Sequence, residues 1–359
     1  MRMKNSARLI ATSALTGWLF VAGDISYQQG LHIMNSAQAS ESISSASTFC
    51  TGHFLIDMPV GSVVSGGNYR YDYARLDKPK PMSREDFETE MSAKEKTLRS
   101  TKHEVEPSLL RLLIKPDPYS WIFAHWEYNF SENIVLVDGY RWIDGTRFLF
   151  RSKAGMSKPP SGTKSYQEDA IDRMKAILAG LRKRSTHEIP TEPGYCFEGG
   201  FIANPEWEME EAAIDIDIAG HPDAFVSVWF YPLSRRAHGA PLLDRVGGVL
   251  QALGRMATSV HVLRRGDRQV GPYKGQEFLV TAPSSGGLRG HSFIWETEGD
   301  GTLDTPALKI ELTTGYRDKN GNPQQTKLTD EQAMKLWDDV LNSFRLRPTM
   351  APQASSPSP

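Results

Sequence analysis

The densest group of side chains able to move a proton is a run of carboxylates: Glu206, Glu208, Glu210, Glu211, Asp215 and Asp217. Paired carboxylates act as general acid and base when a cleft drives their pKa values apart. Here Ile214-Asp215-Ile216-Asp217-Ile218 alternates strictly, as a strand does with isoleucines on one face and aspartates on the other. The aspartates therefore turn outward, and the run reads as a solvated acidic face. Such a face can meet a basic partner. Trp207 beside it is a residue type that anchors interfaces, although core burial explains it equally well. The candidate contact residues are Trp207, Glu208, Glu210 and Glu211, with Arg235 and Arg236 as basic counterparts. Arg264-Arg265 form a second basic pair, and both pairs read either as solvated loop charges or as rim contacts.

Other arrangements that could do chemistry fail on spacing. No Gly-x-Ser-x-Gly elbow is present, and Pro283-Ser284-Ser285-Gly286-Gly287 is a loop composition. Asp318-Lys319-Asn320-Gly321-Asn322 has alternate oxygen ligands, but its glycine is misplaced for a calcium loop and Thr329 stands where the bidentate glutamate belongs. A hairpin turn explains it. The nine histidines lack zinc spacing, and His125 on a strand reads as structural. No Walker-type phosphate loop occurs. We assign no catalytic residue, no cofactor and no metal. Two cysteines permit one intramolecular bridge, Cys50 to Cys196, favoured in an oxidising compartment. The alternative is that each is a small buried residue on its own first strand.

The elements that would position these groups come in two sets. Phe49-Cys50 and Tyr195-Cys196 open the halves, with Ile56 and Pro59 spaced from the first cysteine as Ile202 and Pro205 are from the second. Ala170, Met174, Ile177, Leu178, Leu181, Arg182 and Arg184 correspond in spacing to Ala333, Trp337, Val340, Leu341, Phe344, Arg345 and Arg347. Each set gives a helix with one apolar stripe and arginines at its negative end. Caps are predicted at Ser83 with Asp86, at Ser165 with Glu168 and at Thr329 with Gln332. Phe87, Met91 and Leu98 mark the inward side of the first helix, and Pro241 starts a helix bearing Leu243, Val246, Leu250 and Leu253.

Strands are expected at 69–73, 109–114, 121–128, 134–137 and 140–150, with turns at Asp138-Gly139 and Asp144-Gly145. In the second half they are expected at 214–218, 225–231, 260–263, 277–280, 293–295 and 308–312. The fold class is α+β: two related domains, each a mostly antiparallel sheet with helices packed on it. The domains span 48–184 and 195–347, joined by a linker at 185–194 and followed by a tail at 348–359 that has nothing to bury.

The chain has 359 residues, 39% of them hydrophobic, and a net charge of −2, which gives no broad field for nucleic acid. Arg2, Lys4 and Arg8 precede an apolar run from Leu9 to Ala22, the architecture of a signal peptide, so residues 1–39 are read as signal and lead-in. The run is shorter than a membrane span. Export without stable membrane insertion is expected.

Phe49-Cys50-Thr51-Gly52-His53-Phe54-Leu55-Ile56-Asp57-Met58-Pro59 and Pro193-Gly194-Tyr195-Cys196-Phe197-Glu198-Gly199-Gly200-Phe201-Ile202 resemble the openings of the two domains of bacterial type VI secretion immunity proteins that neutralise Tle-class phospholipase effectors. The resemblance covers residues 48–347. It implies a non-enzymatic periplasmic inhibitor, a monomer in a one-to-one complex with a cognate lipase. Two domains on a short linker could approach that lipase from two sides as a clamp. The competing readings are an exported hydrolase with a site assembled from distant residues, and an envelope glycan-binding module using the aromatic segment from Tyr119 to Tyr128.

Overall fold

The structure, a computed structural model, describes residues 46–156, 164–204, 209–231, 239–253, 259–283, 287–301, 305–316 and 321–349, with 249–253 as backbone. The segment read as a signal peptide, the tail from 350, Ser284 to Gly286, Asp318 to Asn320, Trp207, Glu208, Arg235 and Arg236 lie outside the described residues. So do the side chains of Leu250 and Leu253.

The first half opens with a hairpin, β1 (Ala46–Thr51) and β2 (Phe54–Pro59). It continues through β3 (Val63–Tyr71), β4 (Ala74–Leu76), β5 (Lys80–Pro81) and α1 (Arg84–Ser100). Then come β6 (Leu110–Asp117), β7 (Ser120–Trp126), β8 (Ile134–Ile143) and β9 (Thr146–Gly155), followed by α2 (Tyr166–Gly180) and β10 (Leu181–Lys183). The second half repeats the plan with the hairpin β11 (Gly194–Phe197) and β12 (Gly200–Ala203), then β13 (Glu210–Asp217), β14 (Phe225–Tyr231) and α3 (Leu242–Leu253). It closes with β15 (His261–Val270), β16 (Tyr273–Pro283), β17 (Arg289–Thr297), β18 (Ala307–Thr313), α4 (Asp330–Ser343) and β19 (Arg345–Leu346). The predicted caps hold: Ser83 accepts from Asp86 N, and Ser165 with Glu168 and Thr329 with Gln332 form full capping boxes. The fold is α+β and antiparallel throughout.

Several strands extend beyond their expected limits: β3 starts at Val63 and ends at Tyr71, and β15, β16 and β17 are each longer than expected. β8 runs straight through Asp138-Gly139, where a turn is expected from residue type, and the chain reverses only at Asp144-Gly145. Packing overrides turn propensity here. A Cβ on Gly139 would lie 2.2 Å from Met174 Sδ, so the glycine lets α2 close on the sheet. Asp138 is buried, where the Lys94 ammonium from α1 (2.9 Å) and the His125 ring (3.3 Å) meet it. Burial works against its charge, yet these partners hold its pKa below the usual carboxylate value.

The two halves share a single sheet of 13 strands, ordered β15-β16-β17-β18-β14-β13-β3-β4-β9-β8-β7-β6, with β5 beside β9. The halves meet where β13 pairs with β3. On one face, α2 and α4 cover a core that runs through both halves, from Val135, Phe148 and Phe150 to Phe293, Trp295 and Trp337. On the other, α1 packs over Phe123, Tyr140 and Leu149 at one end and α3 over Phe278, Val280 and Ile294 at the other.

The small hairpins are exchanged between halves. β1–β2 is extended by β19 from the end of the chain, and β11–β12 by β10 from the first half. Phe54 of the first hairpin packs on Phe230 and Phe344 of the second half, with ring centroids 5.2 and 5.0 Å apart. Phe197 of the second hairpin packs on Phe148, Phe150 and Tyr69 of the first, at 6.1 to 6.2 Å. Arg184 and Arg347, equivalent in the repeat, are buried where the hairpins meet. Arg184 donates to the carbonyls of Glu188, Phe197 and Cys50, and Arg347 to those of Pro190, Glu192 and Gly194. Burial pulls the Arg184 guanidinium down to about 10, still charged at neutral pH. Cys50 and Cys196 form a disulfide between the two hairpins.

Candidate functional site

The acidic strand lies at the centre of the large sheet, because β13 is the strand through which the second half joins β3 of the first. Its alternation turns Ala212, Ile214 and Ile216 into the core and Ala213, Asp215 and Asp217 away from it. The same period places Glu210 inward. It is 1% exposed and lies 2.6 Å from His53 Nε2 at the tip of the first hairpin. Glu210, expected as a surface contact, is therefore withdrawn from the candidate interface, since a buried side chain cannot meet a partner. Glu211 is on the outward face, 3.6 Å from Arg70. Asp215 accepts from the Ser227 hydroxyl on β14.

Strand register extends this outward face into a row. Asp138 of β8 is opposite Arg151 of β9, Arg151 opposite Arg75 of β4, Arg75 opposite Arg70 of β3, and Arg70 opposite Glu211 of β13. The row lies on the face that carries α1 and α3, in the interval between them. The side chains of Arg70, Arg75 and Arg151 are 51%, 54% and 47% exposed. Asp77 is shared by Arg75 (2.9 Å) and Arg151 (3.2 Å). Beside the row, β3 turns into β4 through Asp72 and Tyr73, which have φ of 45° and 64°. Positive φ suits this two-residue hairpin but is strained for tyrosine, at a cost of about 1–3 kcal/mol. Tyr73 is exposed, with the Arg173 guanidinium 5.3 Å from its ring centroid.

Sequence reading missed these arginines. Arg70 sits in a recognised strand, but Arg75 and Arg151 are distant in the chain, and only pairing across three strands brings them into one row. Arg264, read as a loop or rim charge, lies instead on β15. With Arg268 it is ion-paired to buried Glu277 and to Asp338 of α4.

The arrangement nearest to a catalytic one is Asp330–His291–Thr314. His291 Nε2 is 3.0 Å from Asp330 Oδ1, and its Nδ1 is 2.7 Å from the Thr314 hydroxyl. Burial lowers the His291 pKa, favouring the neutral ring. Thr314 is itself buried and also accepts from the backbone N–H of His291. The group ties the first turn of α4 to β17, and it offers a substrate no nucleophile at a surface. A cavity of about 560 Å³ beside the start of α3 is lined by Pro241, Arg268, Lys274, Gln276, Glu296 and Glu298, not by these residues. Among the described residues no cluster of three His, Cys, Asp or Glu side chains could hold a metal. Nor is any described helix long and apolar enough to cross a membrane.

Residues 47–184 match the family described as Tle cognate immunity protein 4, N-terminal domain, and residues 188–349 match its C-terminal domain. Among solved structures, a chain in the crystal structure of a Tle4-Tli4 complex is 25% identical with a TM-score of 0.74, covering 86% of this chain and 100% of that one. The apo structure of immunity protein TplEi of T6SS from Pseudomonas aeruginosa is 26% identical with a TM-score of 0.71 and the same coverage. The same protein complexed with an "L" peptide is 26% identical with a TM-score of 0.67. No curated protein matches the sequence.

Proposed function

The chain belongs to the Tle cognate immunity protein 4 family, and on that footing we propose that it binds a cognate Tle-class phospholipase effector of the type VI secretion system and inhibits it. The observation that carries this reading is the match of both halves to the two domains of one immunity family, together with a likeness to a chain solved in a Tle4-Tli4 complex. Inhibition proceeds by occupation: the protein covers the effector and turns over no substrate. The buried Asp330–His291–Thr314 group is consistent with this.

The site of action is the periplasm, reached through the basic and apolar N-terminal segment, and the complex is one-to-one. A shared sheet, exchanged hairpins and a disulfide hold the two halves at fixed spacing. Once one half engages the effector, the contact of the other is intramolecular, which favours a tight, stoichiometric complex. The test is co-expression. A lipase encoded beside the gene is directed to the periplasm with and without this chain. Survival only with the chain, and co-elution of the two proteins as a one-to-one complex, are expected. Lysis in both cases would refute the reading.

A further inference from the structure

Three guanidinium groups stand side by side on β3, β4 and β9, and two carboxylates among the described residues, Asp77 and Glu211, are paired to them. Arg70, Arg75 and Arg151 are direct cross-strand neighbours. Like charges placed this way weaken a sheet. Among the described carboxylates, Asp77 bridges Arg75 and Arg151, Glu211 lies 3.6 Å from Arg70, beyond a direct hydrogen bond, and Asp138, opposite Arg151, is engaged by Lys94 and His125. Each side chain is about half exposed, so each retains donors facing solvent. The stripe crosses three strands, about 10 Å at ordinary strand spacing. It occupies the interval between α1 and α3 where the halves join, with exposed Tyr73 at the neighbouring strained turn. Arginine presents a planar fork that grips carboxylates in pairs, and arginine and tyrosine are enriched at protein interfaces.

We propose that the Arg70–Arg75–Arg151 stripe is the docking site for a carboxylate-rich segment of the effector. The proposal rests on the effector-binding reading and gives that contact a place and a charge. An acidic segment brings further carboxylates to the guanidinium donors that face solvent, offsetting repulsion among the three neighbouring arginines. Binding through this stripe is therefore sensitive to salt.

The experiment uses the whole exported chain with its disulfide, purified, and the lipase encoded beside its gene as the probe. Calorimetric titrations at low and high salt compare wild type, the triple variant Arg70→Gln/Arg75→Gln/Arg151→Gln, and the control Arg99→Gln on the exposed side of α1. The triple variant is expected to bind at least about tenfold more weakly, equivalent to about 1.4 kcal/mol, and to lose much of the salt dependence. Arg99→Gln should bind as wild type does. A hexaglutamate peptide should compete with the lipase for wild type. The triple variant should unfold no earlier than wild type, which separates lost contact from lost fold. Wild-type binding that the triple variant retains in full, with the same salt slope, overturns the stripe and leaves the effector reading standing. Absence of wild-type binding overturns both. Vesicles of phosphatidylethanolamine and phosphatidylglycerol test the other source of anions: stripe-dependent vesicle binding with lipase binding intact would assign the arginines to lipid headgroups and sink the proposal.

Discussion

Cys50 and Cys196 occupy the same station in the two halves, 146 residues apart, and are bonded to each other. Equivalent positions meet only where an internal two-fold relation brings the hairpins face to face. Gly52 and Cys196 exchange backbone hydrogen bonds there, at 2.8 and 2.9 Å. Closing so long a loop restricts the unfolded chain, so the bond should stabilise the fold by about 3–5 kcal/mol. Cys50→Ala/Cys196→Ala is therefore expected to lower the urea midpoint strongly, and reductant to do the same to wild type. Indistinguishable midpoints would show that hydrogen bonding and packing alone set the stability of this junction.

At the start of α4, acid should weaken the protein in two stages. Burial lowers the His291 pKa below its ordinary 6.5, with Arg289, Asp330 and Asp223 as the charges around it. The unfolded chain then takes up the proton first, so stability falls as pH drops below about 6.5. Asp330 is pulled up by burial, but hydrogen bonds from Thr281 and His291 and the Arg289 charge hold it below its ordinary 3.8. The stability this adds is present above 3.8 and is lost as pH falls further. Denaturant unfolding followed from pH 7 to pH 5 should show a slope that His291→Gln flattens, whatever that variant does to absolute stability. An unchanged slope would assign the titration to other groups.

Gly139 offers a test of packing against turn propensity. Adding a methyl group there forces Met174, buried on α2, to move its Sδ and Cγ, and the surroundings are closely packed. Gly139→Ala should cost about 1–3 kcal/mol. Met174→Ala makes room at the expense of a cavity, so the double variant should lose less than the sum of the singles by about 1 kcal/mol. Simple additivity in a double-mutant cycle would mean that the two positions do not press on each other.

Local features of the fold were legible because they are written in neighbouring residues. Caps at Ser83, Ser165 and Thr329 and the helical stripes through Met174 and Trp337 needed no long-range information. Long-range pairing was not legible. Nothing near Tyr69 or Ala212 in the chain states that β3 and β13 join the halves, or that Phe54 covers the half to which it does not belong. Strand ends were underestimated where charge interrupts the apolar pattern: Arg264, Gly266, Asp267 and Arg268 conceal the length of β15. At the site, the burial of Glu210 could have been read from the period that turns Ile214 inward. The arginine row had no such signal, being a product of register alone.

The exchanged hairpins make a strong statement about the halves in isolation. A fragment covering 46–184 carries Phe148, Phe150 and Tyr69 without Phe197, which packs on them, and its β10 has lost its partner β12. A fragment covering 188–349 likewise lacks Phe54 against Phe230 and Phe344, and its β19 lacks β2. Each would also expose an edge of the central sheet, β3 in one and β13 in the other, and a bare edge invites aggregation. Separately expressed fragments should therefore be aggregated or without a cooperative melt. Co-expressed in an oxidising compartment, they should assemble one-to-one and part on a gel only after reduction. A single half that stays monomeric and melts cooperatively would show that the exchange is dispensable. The same result would support two self-sufficient domains joined by a linker, each able to meet the effector alone.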